Sequence, residues 1–329
     1  MFRRSAPAAV TLGAAVVLAA CSSAEPADGD LAVTGGFGDK PEITIPAEAP
    51  SAELAVDVLA EGDGPEVQAG DLLVVNYLGQ TWDPRPADEV ADLGADATEP
   101  DPDGNVPFVF DNSYDRGEPA NFPIGTGAVI AGWDDGLVGQ RAGSRVLLVI
   151  PPEQGYGDSE GHDLQDDTLV FVVDIIGSYG EDLGVSGEPV GDLPDDLPEV
   201  TGEGAEQPVV EFPGSAEPVG ESDATVVVAG DGEEIPVDPD ADPVGGAPGP
   251  NLVVQALQVS YLTGETQFST WDASPLVIRP ETLPGLTEAL DGHGVGSRVL
   301  VRIAAQDNVT EQEPEGEPVV IVVDVIGTF

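Results

Sequence analysis

The residues best suited to chemistry lie between positions 124 and 157 of this 329-residue chain. Here an apolar pair, Val129 and Ile130, precedes Trp133, and a short apolar run then leads to Tyr156. Aromatic and apolar side chains in such close succession predict an apolar pocket, and the segment has no obvious nucleophile. A pocket of this kind suits a reaction that needs removal from water and breaks no covalent bond.

Most other kinds of catalytic site lack their parts. The chain has two histidines and one cysteine, so a serine or cysteine triad and a histidine-rich zinc site are not expected. Asp101, Asp103 and Asn105 alternate as calcium ligands do, but Gly104 is misplaced for an EF-hand loop. We predict no metal and no cofactor, while the many carboxylates leave an all-carboxylate cation site open as an alternative.

The charge of the chain limits its partners. It has 62 acidic and 10 basic residues, and its formal net charge is −52 at pH 7. Nucleic acid is not an expected partner, because phosphate recognition needs clustered lysine and arginine. Anionic lipid headgroups would also repel the chain. We interpret the acidity as a means of solubility in salty or cation-rich surroundings.

The N-terminus has the pattern of a secretion signal. Arg3 and Arg4 precede an apolar run at 8–20 that is too short to span a bilayer. The sequence Leu-Ala-Ala-Cys ending at Cys21 resembles the lipobox of bacterial lipoproteins, which implies cleavage before this cysteine and acylation of its sulfur. We therefore predict a signal peptide at 1–20 and a lipid anchor at the extracytoplasmic face of the cell membrane.

Composition predicts how the rest of the chain is divided. The small, polar residues at 21–40 are typical of a flexible tether, and the acidic residues with proline and glycine at 181–206 are typical of a linker. These boundaries predict a first domain at 41–180 and a second at 207–329. An acidic, solvent-exposed loop insertion is predicted at 82–107 in the first domain.

The two predicted domains repeat each other. Three short apolar segments recur in the same order, which indicates an internal duplication and predicts strands. They are 73–78 with 257–262, 143–147 with 296–300, and 172–177 with 322–327. One short helix is predicted in each repeat, at 131–138 and 283–290. The predicted fold class is α+β, with a twisted antiparallel β-sheet wrapped around a short α-helix in each of two domains.

The first repeat resembles the FKBP family of peptidyl-prolyl cis-trans isomerases, the macrolide-binding immunophilins. The resemblance covers roughly 56–178 and depends on six blocks in order. They are Val-Asn-Tyr-Leu-Gly at 75–79, Phe-Asp-Asn-Ser-Tyr-Asp-Arg at 110–116, the segment 125–136, Ile-Pro-Pro at 150–152, Gly-Tyr-Gly at 155–157 and Thr-Leu-Val-Phe at 168–171. It implies that both repeats are FKBP-like domains and that the first isomerises prolyl bonds.

The resemblance also implies a role for each site residue. Trp133 is the expected platform for the proline ring, and Phe110 is an aromatic wall beside it. Asp111 and Tyr156 take the polar positions beside the twisting imide. These four residues form the expected catalytic group.

A second set is expected to bind the substrate, with the backbone N–H of Ile130 donating to a substrate carbonyl. Its members are Tyr77, Arg116, Phe122, Val129, Ile130, Leu164 and Phe171. Arg116 is also expected to hold Asp111. Leu164 is the one apolar residue of the acidic 158–167 loop expected to reach the pocket, and His162 of that loop is expected to be exposed.

The expected chemistry follows from amide resonance. Resonance gives the X–Pro bond partial double-bond character and a rotation barrier of about 18–20 kcal/mol. It also separates charge, which water stabilises and an apolar pocket does not. Desolvation therefore weakens the planar ground state, and groups complementary to the twisted amide bind the transition state preferentially.

The second repeat retains the fold signals and loses the pocket residues. Aligned through the shared Gly-Ser-Arg motif, aliphatic side chains replace the aromatic ones and serine replaces the aspartate. The pairs are Leu286 for Trp133, Val309 for Tyr156, Ile321 for Phe171 and Ser269 for Asp111. We interpret 207–329 as a degenerate, catalytically silent FKBP-like domain.

The sequence thus predicts a monomeric lipoprotein that isomerises proline-containing exported polypeptides. Macrolide inhibitors of the family are candidate ligands. The alternative is a non-catalytic extracytoplasmic chaperone or binding lipoprotein, which the aliphatic second repeat favours. A weaker alternative is a cation-buffering surface protein.

Overall fold

The computed structural model describes residues 31–92, 100–214, 216–237, 250–309 and 315–329. The predicted signal peptide at 1–20, Cys21 and the first part of the predicted tether lie outside these residues. Within them, none of the helices has the length and apolar character needed to cross a lipid bilayer.

Antiparallel strands dominate the described chain, and the helices are short. The strands of the first half are β1 (Ala32–Thr34), β2 (Glu42–Thr44), β3 (Ala55–Ala60), β4 (Leu72–Thr81), β5 (Arg85–Pro86), β6 (Asn105–Val106), β7 (Val109–Asn112), β8 (Ala120–Pro123), β9 (Arg145–Ile150) and β10 (Leu169–Tyr179). Those of the second half are β11 (Glu188–Pro189), β12 (Glu199–Thr201), β13 (Val209–Glu211), β14 (Asp223–Glu234), β15 (Leu252–Ser260), β16 (Thr266–Ser269), β17 (Leu276–Ile278), β18 (Gly294–Ile303) and β19 (Val319–Thr328). The α-helices are α1 (Ala87–Asp92), α2 (Ala131–Leu137) and α3 (Leu286–Leu290), and short 3-10 turns lie at Pro152–Gln154, Pro280–Thr282 and Ala305–Asp307.

The two large sheets have the same strand order. In the first, β3, β9, β10, β4 and β7 lie side by side, and β8 also pairs with β4. In the second, β14, β18, β19, β15 and β16 follow the same order, β17 pairs with β15, and β11 is added beside β14. This shared topology supports the predicted α+β class and the predicted internal duplication.

The strand register corrects part of the predicted alignment. Segment 73–78 pairs with the strand that holds Asp174 in the same way as 252–257 pairs with the strand that holds Asp324. It therefore corresponds to 252–257, and not to 257–262 as predicted. The Tyr-Leu pair shared by 73–78 and 257–262 displaced the predicted alignment by five residues. The two segments that do correspond both begin with Leu-Val-Val.

The helix of the first sheet lies close to its predicted bounds, and that of the second is shorter. α2 ends at Leu137, one residue before the predicted end. α3 begins at Leu286 rather than at 283. The difference is local, because a 3-10 turn precedes the helix and Gly285 has φ 75°, a left-handed conformation that interrupts helical backbone.

The inner face of the first sheet packs on α2. Leu137, Leu148 and Ile150 are fully buried there. Gly132 allows the helix to lie close to the sheet, since a Cβ at this position would be 2.5 Å from Ile150. Val, Ile and Leu suit such strands because they fill a pleated, buried surface.

The outer face of the same sheet is covered by the hairpin of β1 and β2. Val33 and Ile43 of the hairpin pack against a row of buried side chains that includes Leu147 and Val172. The flexible-tether prediction for 21–40 is therefore wrong for its last ten residues. Burial of the apolar side chains of β1 and β2 on the sheet contributes more free energy than the segment would keep as conformational entropy if it stayed mobile.

A buried ion pair fixes this hairpin to the sheet. Arg145 and Asp174 lie on β9 and β10, with Nε and Nη2 at 2.6 and 2.7 Å from the carboxylate oxygens. The guanidinium also donates to the carbonyl oxygens of Gly35 and Asp39 in the hairpin turn, at 2.7 and 2.6 Å. The charge is therefore buried with its hydrogen-bonding capacity used.

The second sheet repeats this arrangement with residues predicted to form a linker. Arg298 pairs with Asp324 at 2.6 Å and donates to the carbonyl oxygen of Gly202, in the turn between β12 and β13. Leu197, which precedes this hairpin, is buried against the outer face of the sheet. Segment 181–206 therefore differs from the extended linker that its composition predicted.

The insertion at 82–107 is also more folded than predicted. β5 pairs with β6, and α1 follows β5 directly. Val90 and Val106 are fully buried in the core of the first sheet. The acidic composition predicted exposure throughout, but two valines fasten the insertion to the core, so only part of it is a solvent-exposed loop.

Candidate active site

A cleft of about 820 Å³ on the first sheet brings the predicted site residues together. Strands β4, β7, β8 and β10, the start of α2 and the loop at 155–164 form its walls. The predicted residues that line it are Tyr77, Phe110, Asp111, Phe122, Val129, Ile130, Trp133, Tyr156, Leu164 and Phe171. Arg116 lies outside the lining and contacts two of its members.

Trp133 forms the aromatic floor. Its ring centroid lies 5.3 Å from those of Tyr77, Phe122 and Phe171, with interplanar angles of 83–89°. Only 4% of the residue is exposed, and its indole N–H has no acceptor among the described residues. Three edge-to-face contacts therefore hold the indole plane in one orientation.

A glycine allows two further rings to meet above the sheet. Phe110 and Phe171 are in edge-to-face contact at 5.5 Å. A Cβ on Gly79 would lie 2.5 Å from the ring of Phe171 and 2.9 Å from that of Phe110. Any larger residue at 79 would displace the wall of the cleft.

The one carboxylate expected in the catalytic group is held by two neighbours. Asp111 accepts hydrogen bonds from the Tyr77 hydroxyl and the Arg116 guanidinium. The guanidinium also donates to the Tyr77 oxygen at 3.1 Å. Burial and the hydrogen bond to Asp111 raise the pKa of Tyr77 to about 12, so the phenol remains a donor at neutral pH.

Tyr156 follows the 3-10 turn at Pro152–Gln154, and its hydroxyl has no hydrogen-bond partner among the described residues. Burial, and then the charge of Asp111, raise its pKa. The ring of His162 is stacked on it, with centroids 4.0 Å apart and an interplanar angle of 8°. His162 is exposed to solvent, as expected, and it also lines the wall of the cleft.

The lip of the cleft depends on a residue that the sequence reasoning missed. The carboxylate of Asp134, on the first turn of α2, accepts the backbone N–H groups of Gly125 and Gly127 at 2.6 and 2.8 Å. These bonds brace the loop that leads to Val129 and Ile130. In the described structure the backbone N–H of Ile130 donates to no protein group. An aspartate directly after the expected platform tryptophan was the available signal.

The far wall contains further residues to which the sequence reasoning gave no role. Phe108 lines the cleft and is 6% exposed. The Arg85 guanidinium lies 4.5 Å above its ring. Alternation of Val106, Phe108 and Phe110 would have indicated a strand with one buried face.

The arrangement suits binding and rotation rather than bond cleavage. It offers a rigid aromatic floor, an unpaired backbone N–H, an unpaired phenol and a fixed carboxylate. Within the described residues, no three His, Cys, Asp or Glu side chains are grouped to hold a metal ion. Asp101 instead accepts the backbone N–H groups of Asp103 and Asn105 in its own turn.

The equivalent place in the second sheet has different side chains. Leu286 and Ile321 stand at the places of Trp133 and Phe171, in agreement with the predicted alignment. Gln258 is the equivalent of Gly79 in the corrected alignment. Phe268 lies opposite Gln258 and Asp111 lies opposite Gly79, so Phe268 corresponds to Asp111. The predicted match of Ser269 with Asp111 is wrong by one residue, because a phenylalanine precedes each of them and made the two pairs look equivalent.

Comparison with known proteins gives consistent matches to the first half. The profile of the FKBP-type peptidyl-prolyl cis-trans isomerase family matches residues 103–176. An FK506-binding protein of Streptomyces anulatus is 36% identical over 141 residues, which are 42% of this chain and 96% of that protein. A probable FK506-binding protein of Corynebacterium glutamicum is 32% identical over 139 residues, 42% of this chain and 98% of that protein.

The crystal structure of FkpA from Escherichia coli matches 40% of this chain and 51% of that chain, at 33% sequence identity and a TM-score of 0.29. The Streptomyces relative is covered almost from end to end at more than a third identity, and the family profile spans every residue that lines the cleft except Tyr77. The chain belongs to the FKBP-type peptidyl-prolyl cis-trans isomerase family.

Proposed function

We propose that the cleft of the first sheet catalyses cis–trans rotation of X–Pro bonds, with the proline ring on Trp133. The observation that carries this proposal is the meeting of an aromatic floor, the unpaired N–H of Ile130, the unpaired hydroxyl of Tyr156 and the fixed carboxylate of Asp111 in a single cleft. The family relationship gives the isomerase activity, and the geometry supports these residues as its site.

In this proposal the main contribution is removal of the amide from water. The planar amide carries separated charge, which the rings around Trp133 stabilise less than water does, so the ground state loses part of its resonance advantage. The N–H of Ile130 and the hydroxyl of Tyr156 hold the peptide on either side of the rotating bond. Asp111 faces the carbonyl carbon, which becomes more positive as resonance is lost.

Arg116 and Tyr77 act through Asp111. The exposed Asp111–Arg116 pair is worth only about 0–1 kcal/mol of stability, so its proposed purpose is orientation. The Tyr77 hydroxyl fixes the second carboxylate oxygen. Together they keep one face of the carboxylate toward the cleft.

The test is a proline-limited refolding assay with the full chain. Trp133→Ala and Tyr156→Phe should each slow the catalysed phase, the first almost to the uncatalysed rate. Tyr261→Phe is the matched control, because this tyrosine directly follows β15 and packs on the second sheet. Equal rates for wild type and Trp133→Ala would reject the proposed site.

We further propose that the chain is an exported lipoprotein acting on proline-containing polypeptides outside the cytoplasmic membrane. The support is the signal pattern at 1–20 and the lipobox-like cysteine at 21. Incorporation of labelled palmitate should be lost in Cys21→Ser, and the variant should leave the membrane fraction. Labelling of the variant equal to that of wild type would reject the lipid anchor.

For the second half we propose a degenerate FKBP-like domain that folds around its own sheet. The support is its repeated strand order and its own core cluster. Phe268 and Val309 are 45% and 54% exposed, which favours a holding role for unfolded chains as the alternative function. Suppression of aggregation that survives Trp133→Ala would support that role, and its loss would remove it.

We also propose a monomeric state and a cleft that accepts macrolide inhibitors of the family. Sedimentation at several concentrations tests the first. A macrolide should quench the fluorescence of Trp133, and Trp133→Leu should remove that signal. A concentration-dependent mass would contradict the monomeric state. An absence of quenching in wild type would contradict macrolide binding.

A further inference from the structure

The insertion and the loop opposite it are joined by one arginine. Nη2 of Arg85 lies 2.7 Å from a carboxylate oxygen of Asp167 and 2.9 Å from the carbonyl oxygen of Asp163. The Arg85 and Asp167 side chains are only 15% and 19% exposed. The pair is therefore shielded from solvent far more than an ordinary surface ion pair.

The same guanidinium covers an aromatic ring. Its central carbon lies 4.5 Å from the ring centroid of Phe108, at the distance of a cation–π contact. Backbone hydrogen bonds fix both ends of the insertion. The N–H of Thr81 donates to the carbonyl oxygen of Phe108 at 3.0 Å, and the N–H of Trp82 donates to that of Thr168 at 2.8 Å. Arg85 thus links the insertion directly to the 158–167 loop, in addition to the buried side chains of Val90, Val106 and Leu164.

The connected segments supply the far wall of the cleft. Phe108 directly follows the insertion at 82–107, Leu164 belongs to the opposite loop, and each is 6% exposed. They lie beyond Phe110, which is 6.3 Å from Phe108 between ring centroids. At about 820 Å³ the cleft is in the range that holds a drug-sized ligand, which is more than a proline ring fills.

Building on the placement of proline over Trp133, we propose that Phe108 and Leu164 form a second subsite and that Arg85 is its positioning residue. The subsite takes a large apolar side chain flanking the isomerised proline. Without Arg85 the insertion and the 158–167 loop separate, and this wall is lost while the floor at Trp133 remains. The residue then acts on substrate choice and not on rotation of the bond.

The experiment measures isomerisation of short peptides by the full chain, with alanine or leucine on either side of proline. In Arg85→Ala, KM for the better leucine peptide should rise about tenfold, the value of one buried leucine contact, with kcat within twofold. The alanine peptides should change by less than twofold. Arg85→Lys retains the charge beside Asp167 and should recover part of the loss.

Arg141→Ala is the matched control, because this arginine donates to the carbonyl oxygen of Gly64 and lies outside the cleft lining. It should behave as wild type with every peptide. Phe108→Leu, which retains an apolar core side chain, should reduce the leucine preference by itself.

Two results would overturn the subsite. Equal losses for alanine and leucine peptides in Arg85→Ala, with kcat reduced, would show that the residue only supports the fold. An unchanged leucine preference in Arg85→Ala and Phe108→Leu would show that the wall does not select. No wild-type acceleration of any peptide would instead reject the proline site over Trp133.

Discussion

The first and second sheets share a scaffold and differ in what they present above the helix. Both have the strand order, the outer hairpin and the buried arginine–aspartate pair. Even a small hydroxyl is repeated, since Ser113 and Thr270 each accept the N–H of a residue on the neighbouring strand at 2.9 Å. Features common to both sheets are those that the fold needs.

The features confined to the first sheet are those of the cleft. Trp133, Tyr156 and the fixed Asp111 have aliphatic or exposed residues at the equivalent positions of the second sheet. The insertion that precedes Phe108 is also confined to the first sheet, because the equivalent strands of the second sheet, β15 and β16, are joined by a short turn. A duplicated chain thus separates what folding requires from what the reaction requires.

The largest expected effect concerns the shared scaffold. Arg145→Met and Arg298→Met each leave a buried carboxylate without its partner, which costs about 3–5 kcal/mol. Urea unfolding followed by fluorescence should show both losses, with Trp82 and Trp133 reporting on the first sheet and Trp271 on the second. If only one variant is destabilised, the two pairs are not equivalent and the comparison fails.

The next effect concerns the floor of the cleft. Trp133→Leu copies the second sheet and should reduce kcat/KM by about 10–100-fold, because 1.5–3 kcal/mol of aromatic burial is lost. Trp271→Leu is the matched control in the second sheet and should leave the rate unchanged. A rate loss in the control would mean that catalysis depends on both halves.

A smaller effect concerns the lip. Asp134→Asn replaces one acceptor oxygen by a donor and should reduce kcat/KM about tenfold, the value of one charge-assisted hydrogen bond. Asp135→Asn is the control on the same turn, since within the described part of the chain Asp135 bonds only to the Gln154 side chain, at 2.9 Å. The NMR shift of the Ile130 amide should move in the first variant and stay in the second.

The smallest expected effect is the gain from grafting one cleft residue onto the second sheet. Val309→Tyr, made in the Trp133→Leu background, should increase the residual isomerase rate by less than about twofold, since a phenol without a desolvated platform has little to act on. The refolding assay measures it. A clear gain would show that the second sheet lacks only this residue.

The predicted repeat shows where sequence reasoning fails. The Gly-Ser-Arg and Val-Asp segments were aligned as the strand register has them, because their charged residues are buried partners that cannot move. The first pair of segments was displaced by five residues, because apolar runs match equally well at several offsets. Register is set by pairing across strands, which a single segment does not contain.

The sequence by itself determined the family, the aromatic identity of the cleft residues and the replacement of Trp133 and Phe171 by aliphatic residues in the second half. Those conclusions depend on residue types in a fixed order, and that order is a property of the amino-acid sequence alone. Only the tertiary structure decided that the predicted tether and linker contribute hairpins, that Asp134 braces the lip and that Arg85 closes the far wall. Each of these depends on contacts between segments distant in the chain, and their free energy arises only when the sheets have formed.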